Sequence, residues 1–318
     1  MSVSLSDIEA AAQALEGFAV KTPLIENPKL NALTGGRIYL KAENLQRTGS
    51  FKFRGAWNRI SRLNIDQHPG GVVAYSSGNH AQGVAAAAQI KGLPALIVMP
   101  SDTPAIKQAN TKSYGAEVVL YDRATQSREE IAAELCAKRG AVMVPPFDDP
   151  FIIAGQGTAG LEIAEAIKPD AVLVCCSGGG LVSGIATSIK AKHADAEIYS
   201  VEPEGFDDMA RSLRSGKREV NEKLSGNICD ALLTPSPGEM TFPICQKLLA
   251  GGLSVSEKEV RAAMGFAWRE LKLVVEPGGA VALAAVLAGK ISSRDRVIAV
   301  VLSGGNADQK LYQDVLAS

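Results

Sequence analysis

The sequence has few aromatic residues, few histidines and almost no net charge. Of its 318 residues 5% are aromatic and 3 are histidine, and 33 basic side chains balance 34 acidic ones. A chain without excess positive charge has no long-range field to hold a nucleic-acid backbone or an anionic membrane surface. Both are therefore excluded as expected partners, and a small molecule is favoured.

Cysteine is also scarce, and its positions argue against disulfides and structural zinc, because the number is odd and no C-x-x-C spacing occurs. The five are Cys136, Cys175, Cys176, Cys229 and Cys245. The first residues lack a basic segment followed by an apolar stretch, and no eighteen apolar residues run unbroken. We therefore expect a cytoplasmic protein with neither signal peptide nor membrane span.

Short β-branched runs alternate with helical patterns along most of the chain, which is typical of parallel sheets with crossover helices. Predicted strands lie near residues 72–75, 95–99, 117–121, 141–144, 171–176, 197–202 and 297–302, and helices are expected to begin near His80, Pro104 and Ser127. The predicted fold class is α/β, with two domains built on open, parallel, twisted sheets and flanking helices. We expect a small domain at 65–145 and a large one at 1–64 plus 146–318.

Three predicted strands end in a serine-glycine turn. These turns begin at Ser76, Ser177 and Ser303. Glycine alone can explain one tight turn. Ligands of open parallel sheets, however, bind beyond the carboxyl ends of the strands. Three such turns together predict that they line one crevice.

The glycine-rich run from Ser177 to Gly180 is expected to enter a helix near Leu181. The first N–H groups of a helix have no acceptor within the helix, and they favour a bound anion. The run lacks the Gly-Lys-Ser/Thr ending of a nucleoside-triphosphate loop. It therefore predicts a site for a smaller phosphate ester.

Lys52 lies between Phe51 and Phe53, in a segment where Ser50 is a candidate cap for the next helix. The positive end of a helix and burial among apolar groups both favour the neutral amine of a lysine. Schiff-base chemistry with a carbonyl compound requires a neutral amine. The alternative is an ordinary solvated lysine on an amphipathic helix, and the neighbouring residues favour the catalytic role.

Other catalytic arrangements have little support. The histidines have no metal-ligand spacing, and no G-x-S-x-G motif occurs. Residues 155–160 match G-x-G-x-x-G, but they continue into a helical pattern and lack the acidic residue that the dinucleotide fingerprint needs. A nicotinamide-dependent oxidoreductase is therefore only an alternative from a different class.

Four motifs resemble the fold-type-II pyridoxal-phosphate family, whose fold is similar to the tryptophan synthase β subunit. Within that family they resemble the serine/threonine dehydratase and serine racemase branch. The motifs lie at residues 41–56, 76–83, 177–181 and 303–306, in the family's order. The resemblance covers nearly the whole chain and implies the cofactor pyridoxal 5′-phosphate.

The resemblance also implies roles for single residues. Lys52 would form the Schiff base with the cofactor and later remove the substrate's α-proton, and Ser77 is a candidate acid or base on the opposite face. Asn79 would bond the cofactor's 3-hydroxyl oxygen, and Ser303 would face its pyridine nitrogen. The implied cofactor residues are Phe51, Lys52, Asn79, Ser177, Gly178, Gly179, Gly180, Leu181, Glu276 and Ser303. The implied substrate residues are Ser76, Ser77, Gly78, Asn79 and His80.

A divalent-cation site is implied by the same resemblance. Glu202, the carbonyl of Phe206 and Asp208 match the cation ligands of this branch. Oxygen ligands suit magnesium, manganese or calcium. The alternative is a solvated acidic loop.

The activity implied is that of a homodimeric lyase that converts L-threonine or L-serine to a 2-oxo acid and ammonia. Serine racemase and 3-hydroxyaspartate dehydratase are alternatives within the family. Arg128 and Arg123 are candidate cations for the second carboxylate of 3-hydroxyaspartate. Surface salt bridging is the favoured role for both arginines.

Overall fold

The structure is a computed structural model that describes residues 3–103, 105–122 and 125–317. Within these residues the chain forms two β-sheets with helices packed against them, which confirms the predicted α/β class. None of the described helices is long and apolar enough to cross a membrane. Pro104, where one helix was expected to begin, and Arg123 lie outside the described residues.

The described strands are β1 (Leu24–Glu26), β2 (Arg37–Ala42), β3 (Val72–Tyr75), β4 (Ala95–Pro100), β5 (Glu117–Tyr121), β6 (Val142–Met143), β7 (Ala171–Cys175), β8 (Glu197–Pro203), β9 (Gly251–Val255) and β10 (Val297–Leu302). The described α-helices are α1 (Leu5–Leu15), α2 (Pro28–Thr34), α3 (Lys52–Ile60), α4 (Asn79–Lys91), α5 (Ala105–Ser113), α6 (Arg128–Arg139), α7 (Pro150–Ala166), α8 (Gly180–Lys192), α9 (Asp208–Ser215), α10 (Thr241–Leu248), α11 (Glu257–Phe266), α12 (Pro277–Leu287) and α13 (Gln309–Ala317).

The larger sheet has the strand order β1-β2-β10-β7-β8-β9, and β1 pairs antiparallel with β2 while the other pairs are parallel. The smaller sheet has the order β5-β4-β3-β6 and is parallel throughout. β7 and β10 are buried along almost their whole length, as expected for central strands covered on both faces. All seven predicted strands are confirmed.

The strand β9 was not among the predicted strands, because two glycines weaken the strand pattern at its start. The structure gives a reason for Gly252. A Cβ at this position would lie within 2.6 Å of the Cα of Ala210 in α9. The glycine therefore lets α9 lie directly against the edge of the larger sheet.

The G-x-G-x-x-G segment lies inside α7 and does not form a loop after a strand. Its glycines permit close helix packing. A Cβ on Gly155 would lie 2.6 Å from the Cα of Gly55 in α3, and a Cβ on Gly160 would lie 2.8 Å from the Cα of Ile185 in α8. The motif therefore serves helix packing, and the dinucleotide interpretation is wrong for this segment.

The helix cap expected at Ser50 is also wrong. Helix α3 follows Phe51, and no side chain caps it. Ser50 pairs instead with Gly304 in an isolated β-bridge, and the N–H of Phe51 donates to the carbonyl of Ser303 at 3.0 Å. These contacts fix the start of α3 to the turn that follows β10.

One apolar core surrounds the larger sheet, and a second joins α1, α3 and α7 to α4 and one face of the smaller sheet. We propose that the two sheets mark two domains, at residues 1–64 plus 146–318 and at 65–145. The second core then provides the contact between these domains, because α1, α3 and α7 belong to the larger one.

Candidate active site

Residues from both sheets line one cleft at the carboxyl ends of β3, β7 and β10. All three serine-glycine turns contribute, through Ser76, Ser177 and Ser303 among others. Their predicted convergence on one crevice is therefore confirmed. The cleft also receives the side chain of Lys52 from the beginning of α3.

Lys52 is partly buried, and its Nζ donates a hydrogen bond to the carbonyl of Pro146 at 2.7 Å. The same Nζ lies 5.2 Å from the centre of the Phe51 ring. Burial lowers the pKa of Lys52 from 10.5 to about 8. An appreciable fraction of this amine is therefore neutral near physiological pH, as nucleophilic addition to an aldehyde requires.

The glycine run forms a concave turn at the beginning of α8. Gly179 has φ +93°, and no side chain caps the helix. A Cβ on Gly178 or Gly180 would lie within 2.9 Å of Phe147. Thr241 stabilises the run, because its hydroxyl donates a hydrogen bond to the carbonyl of Gly178. The first N–H groups of α8 thus remain available, which fits a phosphate ester.

Ser177 and Leu181 complete this turn, and both line the cleft. The hydroxyl of Ser177 is hydrogen-bonded to that of Thr234. Leu181 is buried in the core of the larger sheet. The two side chains fix the ends of the glycine run.

Asn79 lies at the beginning of α4 and connects the substrate turn to the last turn of the cleft. Its Nδ2 donates to Oε1 of Glu276 at 2.5 Å, and its Oδ1 accepts from Nδ2 of Asn306 at 2.8 Å. Burial raises the pKa of Glu276 to about 7. The structure thus brings both predicted residues, Asn79 and Glu276, into direct contact.

Ser303 is buried below the cleft beside Cys175, the last residue of β7. The hydroxyl of Ser303 is hydrogen-bonded to the Cys175 thiol, whose pKa burial raises to about 11. A thiol with such a pKa stays protonated and unreactive near neutral pH. The floor of this part of the cleft is therefore uncharged.

The turn from Ser76 to Gly78 leads into α4, which has no side-chain cap. His80 is buried in the first turn of this helix, and its Nε2 is hydrogen-bonded to the carbonyl of Val144. Burial and the charge of Lys52 lower the pKa of His80 to about 3. The histidine is therefore neutral, and the uncapped N–H groups at the start of α4 are the groups of this turn that suit an anion.

Sequence reasoning missed several residues of the cleft. Lys107 of α5 and Asp230 form a salt bridge across it, and Asn306 lies beside Asn79. No local motif marks Lys107 or Asp230, which are 123 residues apart. Asn306 is the last residue of the motif at 303–306, but no role of its own was predicted for it.

Arg128, the first residue of α6, also lines the cleft. Its guanidinium lies over the ring of Tyr75 at 5.2 Å and donates to the Glu129 carboxylate at 2.7 Å. The salt bridge expected for Arg128 is present. The structure adds that the same side chain borders the site.

The predicted cation ligands Glu202, near the end of β8, and Asp208, the first residue of α9, are both buried. The Glu202 oxygens accept from the N–H groups of Met209 and Ala210 at 2.9 and 2.8 Å. Burial and the nearby Asp208 raise the pKa of Glu202, and burial raises that of Asp208 to about 6. Oδ2 of Asp208 is buried without a hydrogen-bond partner in the described part of the chain.

Within the described residues no three His, Cys, Asp or Glu side chains form a group that could hold a metal ion. The predicted set has two carboxylates and one main-chain carbonyl, from Phe206. An unpartnered, buried carboxylate oxygen is costly unless a proton or a cation compensates it. The chemistry of these donors therefore fits a hard divalent cation completed by water.

The fold and the cleft together define a class of protein. A helix terminus with available N–H groups, a lysine amine with a lowered pKa and a half-buried asparagine meet at the carboxyl ends of strands from the two sheets. These residues fit pyridoxal phosphate, which carries both an aldehyde and a phosphate ester. The arrangement is that of a pyridoxal-phosphate enzyme of fold type II.

Comparison with known proteins agrees with this class. The family model described as pyridoxal-phosphate dependent enzyme matches residues 15–304. The chain is 44% identical over 314 residues to an L-threo-3-hydroxyaspartate ammonia-lyase of a Pseudomonas species, covering 98% of each protein. It is 42% identical over 315 residues to an L-threonine ammonia-lyase of Thermotoga maritima, covering 99% of this chain and 78% of the relative.

A solved structure of maize serine racemase superposes with a TM-score of 0.94 at 34% identity, covering 100% of this chain and 98% of that one. The chain belongs to the pyridoxal-phosphate dependent enzyme family, in the branch of the serine/threonine dehydratases and serine racemases. The nicotinamide alternative is therefore wrong. The relatives differ in their named activity, so the family alone leaves the substrate open.

Proposed function

We propose that the protein is an ammonia-lyase that eliminates water from L-threonine and L-serine and releases a 2-oxo acid and ammonia. The observation that carries this proposal is the position of Lys52, whose Nζ lies in the cleft with a pKa of about 8. The names of two relatives, both ammonia-lyases, support a lyase.

The residues that would hold the cofactor form three groups. The N–H groups from Gly178 to Leu181 hold its phosphate, and Phe51 and Asn79 contact its ring. When bound, the cofactor supplies an electron sink for negative charge at the substrate's α-carbon. Ser303 offers a neutral hydroxyl to the ring nitrogen, which favours elimination over transamination.

Lys52 moves the α-proton in this proposal. A base whose pKa lies close to the working pH combines sufficient basicity with a large neutral fraction. The N–H groups at the start of α4 and the hydroxyls of Ser76 and Ser77 bind the substrate carboxylate and orient the Cα–H bond. His80 does not compete for this proton, because its pKa is about 3.

The experiment that tests the proposal compares three substrates with the purified holoenzyme. We expect equal amounts of 2-oxo acid and ammonia from L-threonine and L-serine, with smaller rates on L-threo-3-hydroxyaspartate. The remaining serine, separated on a chiral column, should stay in the L form. Accumulation of D-serine would make Ser77 an acid or base of a racemase, and release of no 2-oxo acid from any substrate would reject the lyase.

One observation favours 3-hydroxyaspartate as a second candidate substrate. Arg128 borders the cleft, and its one carboxylate partner among the described residues, Glu129, is exposed on the same helix. An exposed pair of this kind is weak. The guanidinium can therefore exchange Glu129 for the second carboxylate of a bound dicarboxylic amino acid.

This candidate predicts the effect of Arg128→Gln. We expect kcat/KM for L-threo-3-hydroxyaspartate to fall about tenfold to a hundredfold, because a hydrogen-bonded charge pair is lost, while kcat/KM for L-threonine changes little. Arg139→Gln is the matched control, since Arg139 ends the same helix and pairs with Glu117 on the surface. Equal losses on both substrates would reject Arg128 as a specificity residue.

We also propose that Glu202, Asp208 and the Phe206 carbonyl bind magnesium or a similar divalent cation. Magnesium at a hundred times its Kd should raise the free energy of unfolding by about 2.7 kcal/mol. Asp208→Asn should abolish this rise in thermal denaturation, whereas Asp207→Asn, which changes a carboxylate paired with Arg211, should keep it. A Tm that does not respond to magnesium or to a chelator would reject the site.

The homodimer and the cytoplasmic location stay predictions.

A further inference from the structure

A chain of side-chain amides links the two sides of the cleft. Nδ2 of Asn306 donates both to the backbone carbonyl of Thr48 and to Oδ1 of Asn79, each at 2.8 Å. Nδ2 of Asn79 then donates to Glu276 at 2.5 Å. The chain therefore starts at a main-chain carbonyl and ends at a buried carboxyl group.

The backbone carbonyl fixes the direction of every bond in this chain. A carbonyl oxygen only accepts, so Asn306 must present its NH₂ group to Thr48. The same NH₂ group faces Asn79, which must therefore present Oδ1 to Asn306 and Nδ2 to Glu276. An amide nitrogen carries two N–H bonds. Since Asn79 is only half-buried and lines the cleft, its second N–H is available to a ligand.

The turn that supplies this carbonyl is strained. Thr48 has φ +63°, which is rare for a β-branched residue, and its buried hydroxyl has no hydrogen-bond partner in the part of the chain that the structure describes. Gly49 follows with φ +73°, and a Cβ there would lie 2.6 Å from the Asn306 side chain. Such strain persists where surrounding contacts impose it, and it clusters at functional sites.

We propose that Asn306 is a positioning residue for the cofactor. It turns the Asn79 amide so that an N–H, and not the carbonyl oxygen, faces the anionic oxygen of the cofactor ring. The strained turn at Thr48 and Gly49 sets the direction of Asn306. This inference rests on the proposed function, because the direction of the amide matters only when a ring with an anionic oxygen binds beside it.

Asn306→Asp tests this role, because it keeps the side-chain size and replaces the NH₂ group by an acceptor oxygen. Asn79 should then turn Nδ2 towards the new carboxylate and leave Oδ1 facing the cleft. We expect the Kd of pyridoxal phosphate, measured by titrating the dialysed protein, to rise about tenfold or more. We also expect the visible absorption of the bound cofactor to titrate at higher pH, because a lost N–H donor destabilises the anionic oxygen.

The titratable groups that face Asn79 and the neighbouring cleft are unchanged in this variant; they are Lys52, Tyr75, His80, Lys107, Arg128, Cys175, Asp230 and Glu276. Asn64→Asp is the control for an added charge. Asn64 is exposed, and its side-chain oxygen accepts the N–H of Asp66, which an aspartate can also do. We expect this control to match the wild type in Kd and in pH midpoint.

Asn306→Ala is the second variant, since it removes the donor without adding a charge. Weaker cofactor binding together with a raised pH midpoint, in whichever of the two variants folds, supports the proposal. If a folded variant titrates its bound cofactor at the same pH midpoint as the wild type, the proposal is overturned. Failure of both variants to fold also overturns the proposal, because Asn306 would then have a structural role. If the wild type itself forms no complex with pyridoxal phosphate, the proposed function fails first.

Discussion

Lys52→Ala is expected to lower 2-oxo acid release by at least about a thousandfold, because it removes both the nucleophile and the base. The variant should also lose the visible absorption of the bound cofactor. The fold should be retained, since Nζ of Lys52 contacts the Pro146 carbonyl and makes no structural ion pair in the described parts of the chain. Circular dichroism checks the fold, and an assay of 2-oxo acid checks the rate.

Lys91→Ala is the matched control, because Lys91 also donates to a backbone carbonyl, that of Ser61, but lies at the far end of α4. This control should keep turnover and absorption. Turnover by Lys52→Ala at a rate near that of the control would contradict the assignment of Lys52.

Comparison of the wild type with Lys52→Ala also predicts how stability depends on pH. The pKa of Lys52 is lowered from 10.5 to about 8 by burial, so between these pH values the unfolded chain binds a proton that the folded chain does not. The contribution of Lys52 to the free energy of unfolding therefore rises with pH over this window. Relative to Lys52→Ala, the cofactor-free wild type should gain on the order of 3 kcal/mol between about pH 7.5 and pH 10.5. Urea unfolding of both proteins measures the difference.

Glu43→Gln is expected to cost about 3–5 kcal/mol of unfolding free energy, because it breaks a buried ion pair. Glu43 is fully buried and accepts two hydrogen bonds from Arg54, from Nε and from an NH₂ group, both at 2.8 Å. Arg54 also pairs with Glu162 at 2.7 Å, and Lys41 pairs with the same glutamate. Loss of one carboxylate would leave excess positive charge inside the protein.

Glu117→Gln is the control for this prediction, because it breaks an exposed pair with Arg139 and should cost less than about 1 kcal/mol. Burial alone would raise the pKa of Glu43, but the charges of Arg54 and Lys41 outweigh burial and lower it. The contribution of Glu43 to the free energy of unfolding is therefore fully present above the pKa that Glu43 has in the unfolded chain. This contribution is lost as pH falls through the lower pKa that Glu43 has in the folded protein. Equal unfolding free energies for the two variants at pH 7 would contradict a buried ion cluster.

The turns and strands of the cleft could be predicted from the sequence, because their signals are local. A β-branched run followed by serine and glycine indicates both the strand and its exit, and parallel sheets bring such exits to one edge. The sequence signals for the helix that begins at Gly180 and for the helix that contains residues 155–160 are local in the same way. Lys52 was found because two phenylalanines and a motif surround it.

The residues that sequence reasoning missed depend on contacts between distant segments. Arg54 meets Glu162 across 108 positions, and no spacing rule predicts that pair. Asn306 meets Thr48 across 258 positions. Ser50 was expected to cap α3, but its segment pairs with the last turn of the cleft, and this tertiary contact outweighs the local cap signal.

The central claim is that the Lys52 amine bonds to the aldehyde of pyridoxal phosphate in this cleft. Reduction of the holoenzyme with borohydride fixes that bond, and peptide mass spectrometry then locates the added phosphopyridoxyl group. The account predicts one modified site, at Lys52. A phosphopyridoxyl group on another lysine, or on none, would contradict it.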